Sequence, residues 1–153
     1  MKIILTNFLF VGALVSTNVF AKSMAPEISA TEARILVPMN GTTVTAAYAV
    51  LKNNSAEAIS LVITQVKPFT AVELHETYET AGKMGMRKIE KVLIPAHQSF
   101  ELKPGGNHIM LFDPTDELKA GEIVDVNLSA NGKAITLKFK VVDRSETSVP
   151  SHH

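Results

Sequence analysis

From about residue 30 onward the chain is dominated by short runs in which apolar and polar positions alternate, the period of a half-buried strand. The clearest case lies late in the chain. Val124, Val126, Leu128 and Ala130 alternate up to Asn131-Gly132, and Ile135, Leu137, Phe139 and Val141 alternate after it. An Asn-Gly pair between two such runs signals a two-residue hairpin, because both residues tolerate the positive φ that the turn requires. Upstream, Asn40-Gly41 separates Ala33 to Pro38 from Val44 to Lys52, and Asn53-Asn54-Ser55 ends the second run. Ser60 to Val66 and Val72 to Tyr78 are divided at Pro68. Met84 to Leu93 reads as one strand, with Met84, Met86, Lys88 and Glu90 on one side and Ile89 with Leu93 on the other. Pro95 stops it, and Ser99 to Leu102 is a further short strand. Pro104-Gly105-Gly106 forces a tight turn, directly followed by a strand over His108 to Phe112. About eight short strands at fairly even spacing, with no helical period among them, predict an antiparallel β-sandwich.

The first residues follow a different pattern. Lys2 supplies a positive start, Ile3 to Val15 is apolar except for Thr6 and Asn7, and Val19-Phe20-Ala21 has the form of a cleavage site. Ser16, Thr17 and Asn18 interrupt the apolar run well short of the ~20 residues that a membrane-spanning helix needs. The expected organisation is therefore a cleaved export signal over 1–21, one β-sandwich domain over 22–144 and a polar, flexible tail over 145–153. No linker or internal repeat divides the domain. Lipid attachment at a cysteine is excluded, since the sequence contains none, so the expected mature form is exported and not inserted in the membrane.

Composition narrows the chemistry. Fifteen basic and fifteen acidic side chains balance, with no basic stripe, which argues against a nucleic-acid partner. With no cysteine there is no thiolate nucleophile, no Cys-ligated zinc and no blue-copper centre, and no catalytic residue is assigned. What stands out instead is a short window holding His75, His97 and His108 together with Met84, Met86 and Met110. Imidazole nitrogen and thioether sulfur both bind soft or borderline metals, and thioether selects Cu(I). His108 and Met110 are two residues apart and share a strand face, as do Met84 and Met86. Convergence of the strands carrying His75, Met86 and His108 at one end of the sandwich would then gather the donors.

The spacing itself is distinctive. His75 is followed by ten residues and Met86, then by twenty-one residues and His108, then by one residue and Met110. In this the chain resembles the PCu(A)C family of periplasmic copper chaperones, whose signature has these four residues at these three spacings. Val72-Glu73-Leu74-His75-Glu76, Met84-Gly85-Met86-Arg87 and Leu102-Lys103-Pro104-Gly105-Gly106-Asn107-His108 are similar to the family as well. The chain departs from it at Glu76, where family members can carry a further Met. The resemblance implies a cupredoxin-like, Greek-key β-sandwich that is not an enzyme. It implies a periplasmic Cu(I) carrier with His75, Met86, His108 and Met110 as ligands, serving the copper sites of cytochrome c oxidase through a protein partner. A monomer is the expected state.

Other readings are kept beside this one. Met84 is an auxiliary candidate on the face of Met86, and His152 with His153 could hold Cu(II) at a secondary site, although two residues make a short tract. His97, after Pro95-Ala96, is expected to be a solvated turn residue. A copper enzyme built on an N-terminal histidine is disfavoured, because no His lies near Lys22. The remaining alternatives are a metal-free exported interaction module and a general periplasmic copper-storage or resistance protein.

Overall fold

The computed structural model describes residues 26–147. The expected signal segment and the pair His152 and His153 lie outside the described residues. Ten strands follow in order: β1 (Ile28–Leu36), β2 (Val44–Asn53), β3 (Ile59–Val66), β4 (Phe69–Thr80), β5 (Lys83–Ile89), β6 (Val92–Ile94), β7 (Ser99–Leu102), β8 (His108–Pro114), β9 (Ile123–Ala130) and β10 (Lys133–Val142). A single turn of 3₁₀ helix, Arg144–Thr147, then runs three residues past the expected domain end. No α-helix occurs among the described residues.

The strands hydrogen-bond in one continuous path, β5-β4-β8-β2-β1-β10-β9-β3-β6, with β7 paired to β2 alongside β8. Neighbours distant in sequence, such as β4 with β8 and β3 with β9, give the crossed connections expected of a Greek key. All pairings are antiparallel except β1 with β10, which run parallel over Arg34–Leu36 and Lys140–Val142. The path folds over one core. Ile35, Leu51, Ile109 and Leu111 meet Leu61, Leu128, Phe139 and Val141 there, all essentially inaccessible to water. The Asn131-Gly132 hairpin forms as expected, with φ of 49° and 83° and Ala130 opposite Lys133. Two positive φ values at these positions match the right-handed twist of the strands they join.

Two expectations are corrected. β1 begins at Ile28, five residues before the predicted start, because its alternation is broken by a bulge between Thr31 and Arg34 with Glu32 at φ 53°. The run from Met84 to Leu93 is two strands rather than one. β5 lies beside β4, whereas β6 pairs with β3 at the other end of the path through Ile59–Ile94 and Leu61–Val92. Burial of Val92 and Ile94 turns Leu93 outward, so it shares no face with Ile89.

Candidate metal centre

Register brings the His/Met set together. On β4 and β8, His75 stands directly opposite His108, and Glu73 opposite Met110. On β4 and β5, Thr77 stands opposite Met86 and Glu79 opposite Met84. Met110 is also opposite Ala46 of β2. Paired residues share a face, so His75, Met84, Met86, His108 and Met110 all project from one side of the four strands β5-β4-β8-β2. The other side of the same strands carries Leu74, Ile109 and Leu111 into the core. The strands carrying His75, Met86 and His108 are thus neighbours, and the candidate donors lie on their outward face.

Glycine and proline shape the edge of this face. Gly106 N–H donates to the carbonyl of Lys103 at 3.0 Å, closing a turn with Pro104 and Gly105 at its centre. Gly105 has φ 74°, which a side chain would oppose. The turn returns the chain so that β8 starts at His108. Across the face, Met84, Met86, His108 and Met110 line a cavity of about 560 Å³ together with Tyr48 and Arg144. His75 is not among the residues lining it. Met84 and Met86 are 64% and 58% exposed, far more than a methionine used only as core filling. His108 is buried, and the His75 and His108 rings lie 5.8 Å apart between centroids, inclined at 43°.

The hydrogen bonds fix which nitrogen of each ring keeps a lone pair. His108 Nδ1 lies 2.9 Å from the carbonyl oxygen of Gly106, which also accepts from Thr77 Oγ1 at 2.9 Å. A carbonyl can only accept, so Nδ1 carries the proton and Nε2 is the free acceptor of the neutral ring. His75 Nε2 lies 2.8 Å from Glu73 Oε2, and a carboxylate likewise only accepts. In the neutral ring the proton then sits on Nε2, leaving a lone pair on Nδ1. That Nδ1 atom is buried and has no hydrogen-bond partner. Lys88 Nζ closes the group by donating to Glu73 Oε1 at 3.0 Å. The hydrogen bond from His75, and after it the one from Lys88, holds the Glu73 carboxyl below its ordinary range.

Other sequence candidates are sorted by the same geometry. Glu76 lies on the opposite face and pairs with Arg87 at 2.7 Å. His97 is exposed, in the turn after β6, with φ 60°. Gly85, between Met84 and Met86, lies under the Tyr78 ring, whose Cζ would be 2.7 Å from an added Cβ. Among the described residues no three His, Cys, Asp or Glu side chains are gathered as a metal site. The donors that do meet are a mixture of nitrogen and thioether sulfur, a set suited to a soft ion rather than a hard one. Sequence reasoning missed the partner roles of Glu73, Thr77 and the Gly106 carbonyl. Spacing of two along a strand was the available signal, since it puts Glu73 and Thr77 on the face of His75. Nothing in the local sequence signals that Tyr48 and Arg144 border the same cavity.

Known proteins resemble this chain in sequence and in fold. Residues 28–141 match the model of the LpqE-like family, described as "Putative lipoprotein LpqE-like". A Leifsonia xyli protein described as "Putative lipoprotein Lxx21020" is 31% identical over 111 residues, covering 72% of this chain and 61% of that one. The Rickettsia prowazekii protein RP573 is 33% identical over 78 residues, covering 50% of this chain and 43% of its own length. The chain thus spans about half the length of the curated relatives it matches. Among solved structures, the Cu(I) form of DR1885 from Deinococcus radiodurans is 29% identical with a TM-score of 0.65, covering 81% of this chain and 84% of that one. The copper-bound PCuAC domain from PmoF2 is 18% identical with a TM-score of 0.64, covering 78% and 96%. The fold is the cupredoxin-like β-sandwich of PCuAC domains, as the family resemblance implied.

Proposed function

Since the chain belongs to the LpqE-like family, whose fold here is that of PCuAC domains, we propose that it is an exported Cu(I) carrier that holds the ion between His75, Met86, His108 and Met110. The observation that carries this reading is the pair of free imidazole acceptors, His75 Nδ1 and His108 Nε2, on the strand face that also presents Met86 and Met110. An unpartnered buried nitrogen costs free energy and is accounted for by an ion that fills it. Two further supports are the copper present in the solved forms of PmoF2 and DR1885. In the same reading, residues 1–21 are removed on export, the domain starts at Lys22, and copper is delivered in the periplasm for assembly of cytochrome c oxidase.

The chemistry suits transport. Imidazole and thioether ligands are neutral, so the cargo keeps its positive charge and is held less tightly than at a thiolate site. Thioethers cannot be lost to disulfides in an oxidising compartment, although sulfoxide formation would remove the soft donor. Met86, more than half exposed, leaves the ion open to incoming donors from a recipient, so that ligands can be exchanged one at a time.

The test is a titration of the protein with Cu(I) against a competing chelator, repeated across pH. One equivalent is expected to bind. Protons compete for imidazole lone pairs but not for thioethers, so affinity falls as the pH is lowered from about 8 to about 5. An affinity that stays flat over this range would remove the histidines from the site.

A further inference from the structure

His75 is held in a way that reaches beyond the ligand set. Lys88 stands opposite His75 across the β4–β5 pairing, and Glu73 lies two residues before His75 on the same face. The three side chains form a chain of contacts: Lys88 Nζ to Glu73 Oε1 at 3.0 Å, and Glu73 Oε2 to His75 Nε2 at 2.8 Å. The far end of the chain is the buried, unpartnered Nδ1. We propose that Glu73, steadied by Lys88, is a positioning residue that selects Nδ1 of His75 as its metal donor atom. The inference rests on the Cu(I) reading above and adds the group that makes one of its ligands competent.

Two physical effects act together. A neutral imidazole has one acceptor nitrogen, and which one it is depends on where the proton finds its best partner. Glu73 supplies that partner at Nε2, so the lone pair is left on Nδ1, and the hydrogen bond restrains rotation of the ring. The carboxylate also lies one hydrogen bond away from an ion whose direct ligands are all neutral, and its negative charge makes the imidazole a stronger donor. His108 is served differently. Its Nδ1 proton is held by the Gly106 carbonyl, so its donor atom is Nε2 and does not depend on Glu73. The two histidines are thus predicted to offer different nitrogens to one ion, each fixed by its own acceptor.

The experiment combines nitrogen NMR of the metal-free protein near neutral pH with Cu(I) competition titration. It compares the parent with Glu73→Ala and Glu73→Gln. In the parent, His75 should carry its proton on Nε2 and His108 on Nδ1. Glu73→Ala should release the His75 preference, leave that of His108 unchanged, and weaken Cu(I) binding by about 10- to 100-fold. Glu73→Gln keeps an oxygen acceptor, so it should restore the His75 tautomer and recover part of the affinity. Glu73 is on the surface face of β4, so a thermal midpoint close to that of the parent is expected and checks the fold. A Glu73→Ala protein with the parent's tautomer and affinity, or a parent with its His75 proton on Nδ1, would overturn the inference alone. A parent that binds no Cu(I) would overturn the carrier reading and this inference with it.

Discussion

Replacing Met86 and Met110 together with leucine is expected to weaken Cu(I) binding by more than about a hundredfold, since even groups that only support a ligand are worth 10- to 100-fold. These two sulfurs are the soft donors of the proposed ligand set, and the imidazoles left behind carry little preference for Cu(I) over other borderline ions. The fold should be nearly unaffected. Met-to-Leu exchange conserves volume and costs under about 1.5 kcal/mol even in a packed core. Met86 is 58% exposed, and Met110 lies on the outward face opposite Glu73 and Ala46. Chelator competition alongside a thermal melt separates the two effects. Parent-like affinity in the double variant would remove these sulfurs from the site, whereas loss of the melting transition would show that they are structural.

The second large effect is expected at Asn53, far from the metal. Its side chain is fully buried at the end of β2. Nδ2 donates to the carbonyls of Glu57, Ile94 and Pro95 at 2.7, 2.9 and 3.1 Å, and Oδ1 accepts from the backbone N–H and the hydroxyl of Ser55 at 2.9 and 2.7 Å. One amide thus joins the loop before β3 to the end of β6, beside the Ile59–Ile94 pairing. Asn53→Leu keeps the size but strips the buried Ile94 carbonyl of this donor and breaks the links to Glu57, Pro95 and Ser55, so a loss of about 1–3 kcal/mol is expected. Urea unfolding would report it as a lower midpoint with an unchanged slope. A loss below about 1 kcal/mol would mean that water takes over the amide's role.

Much of the fold was legible because strand alternation is a local property. The β9–β10 hairpin, the turn before His108 and the boundaries of β7 all follow from a few residues at a time. The start of β1 is hidden in the sequence because a bulge breaks its period, and the break between β5 and β6 is hidden because no proline or glycine marks Glu90 and Lys91, where the chain crosses to β3. For the site, parity told which residues share a face: His108 with Met110, and Met84 with Met86. It could not tell that β4 and β8 are neighbours, which sets His75 against His108 across 32 intervening residues. Register between distant strands is decided by the whole core. The spacing of the four donors carried that tertiary fact only through likeness to a family. The partner roles of Glu73 and the Gly106 carbonyl were within reach of parity alone, since each lies two residues before its histidine.

X-ray absorption at the copper edge of the Cu(I)-loaded protein tests the central claim most directly. The predicted result is one copper per chain with both sulfur and nitrogen in its coordination shell, the sulfur component disappearing in the Met86 and Met110 double variant. A shell of nitrogen and oxygen alone, or failure of the protein to retain stoichiometric Cu(I), would contradict it.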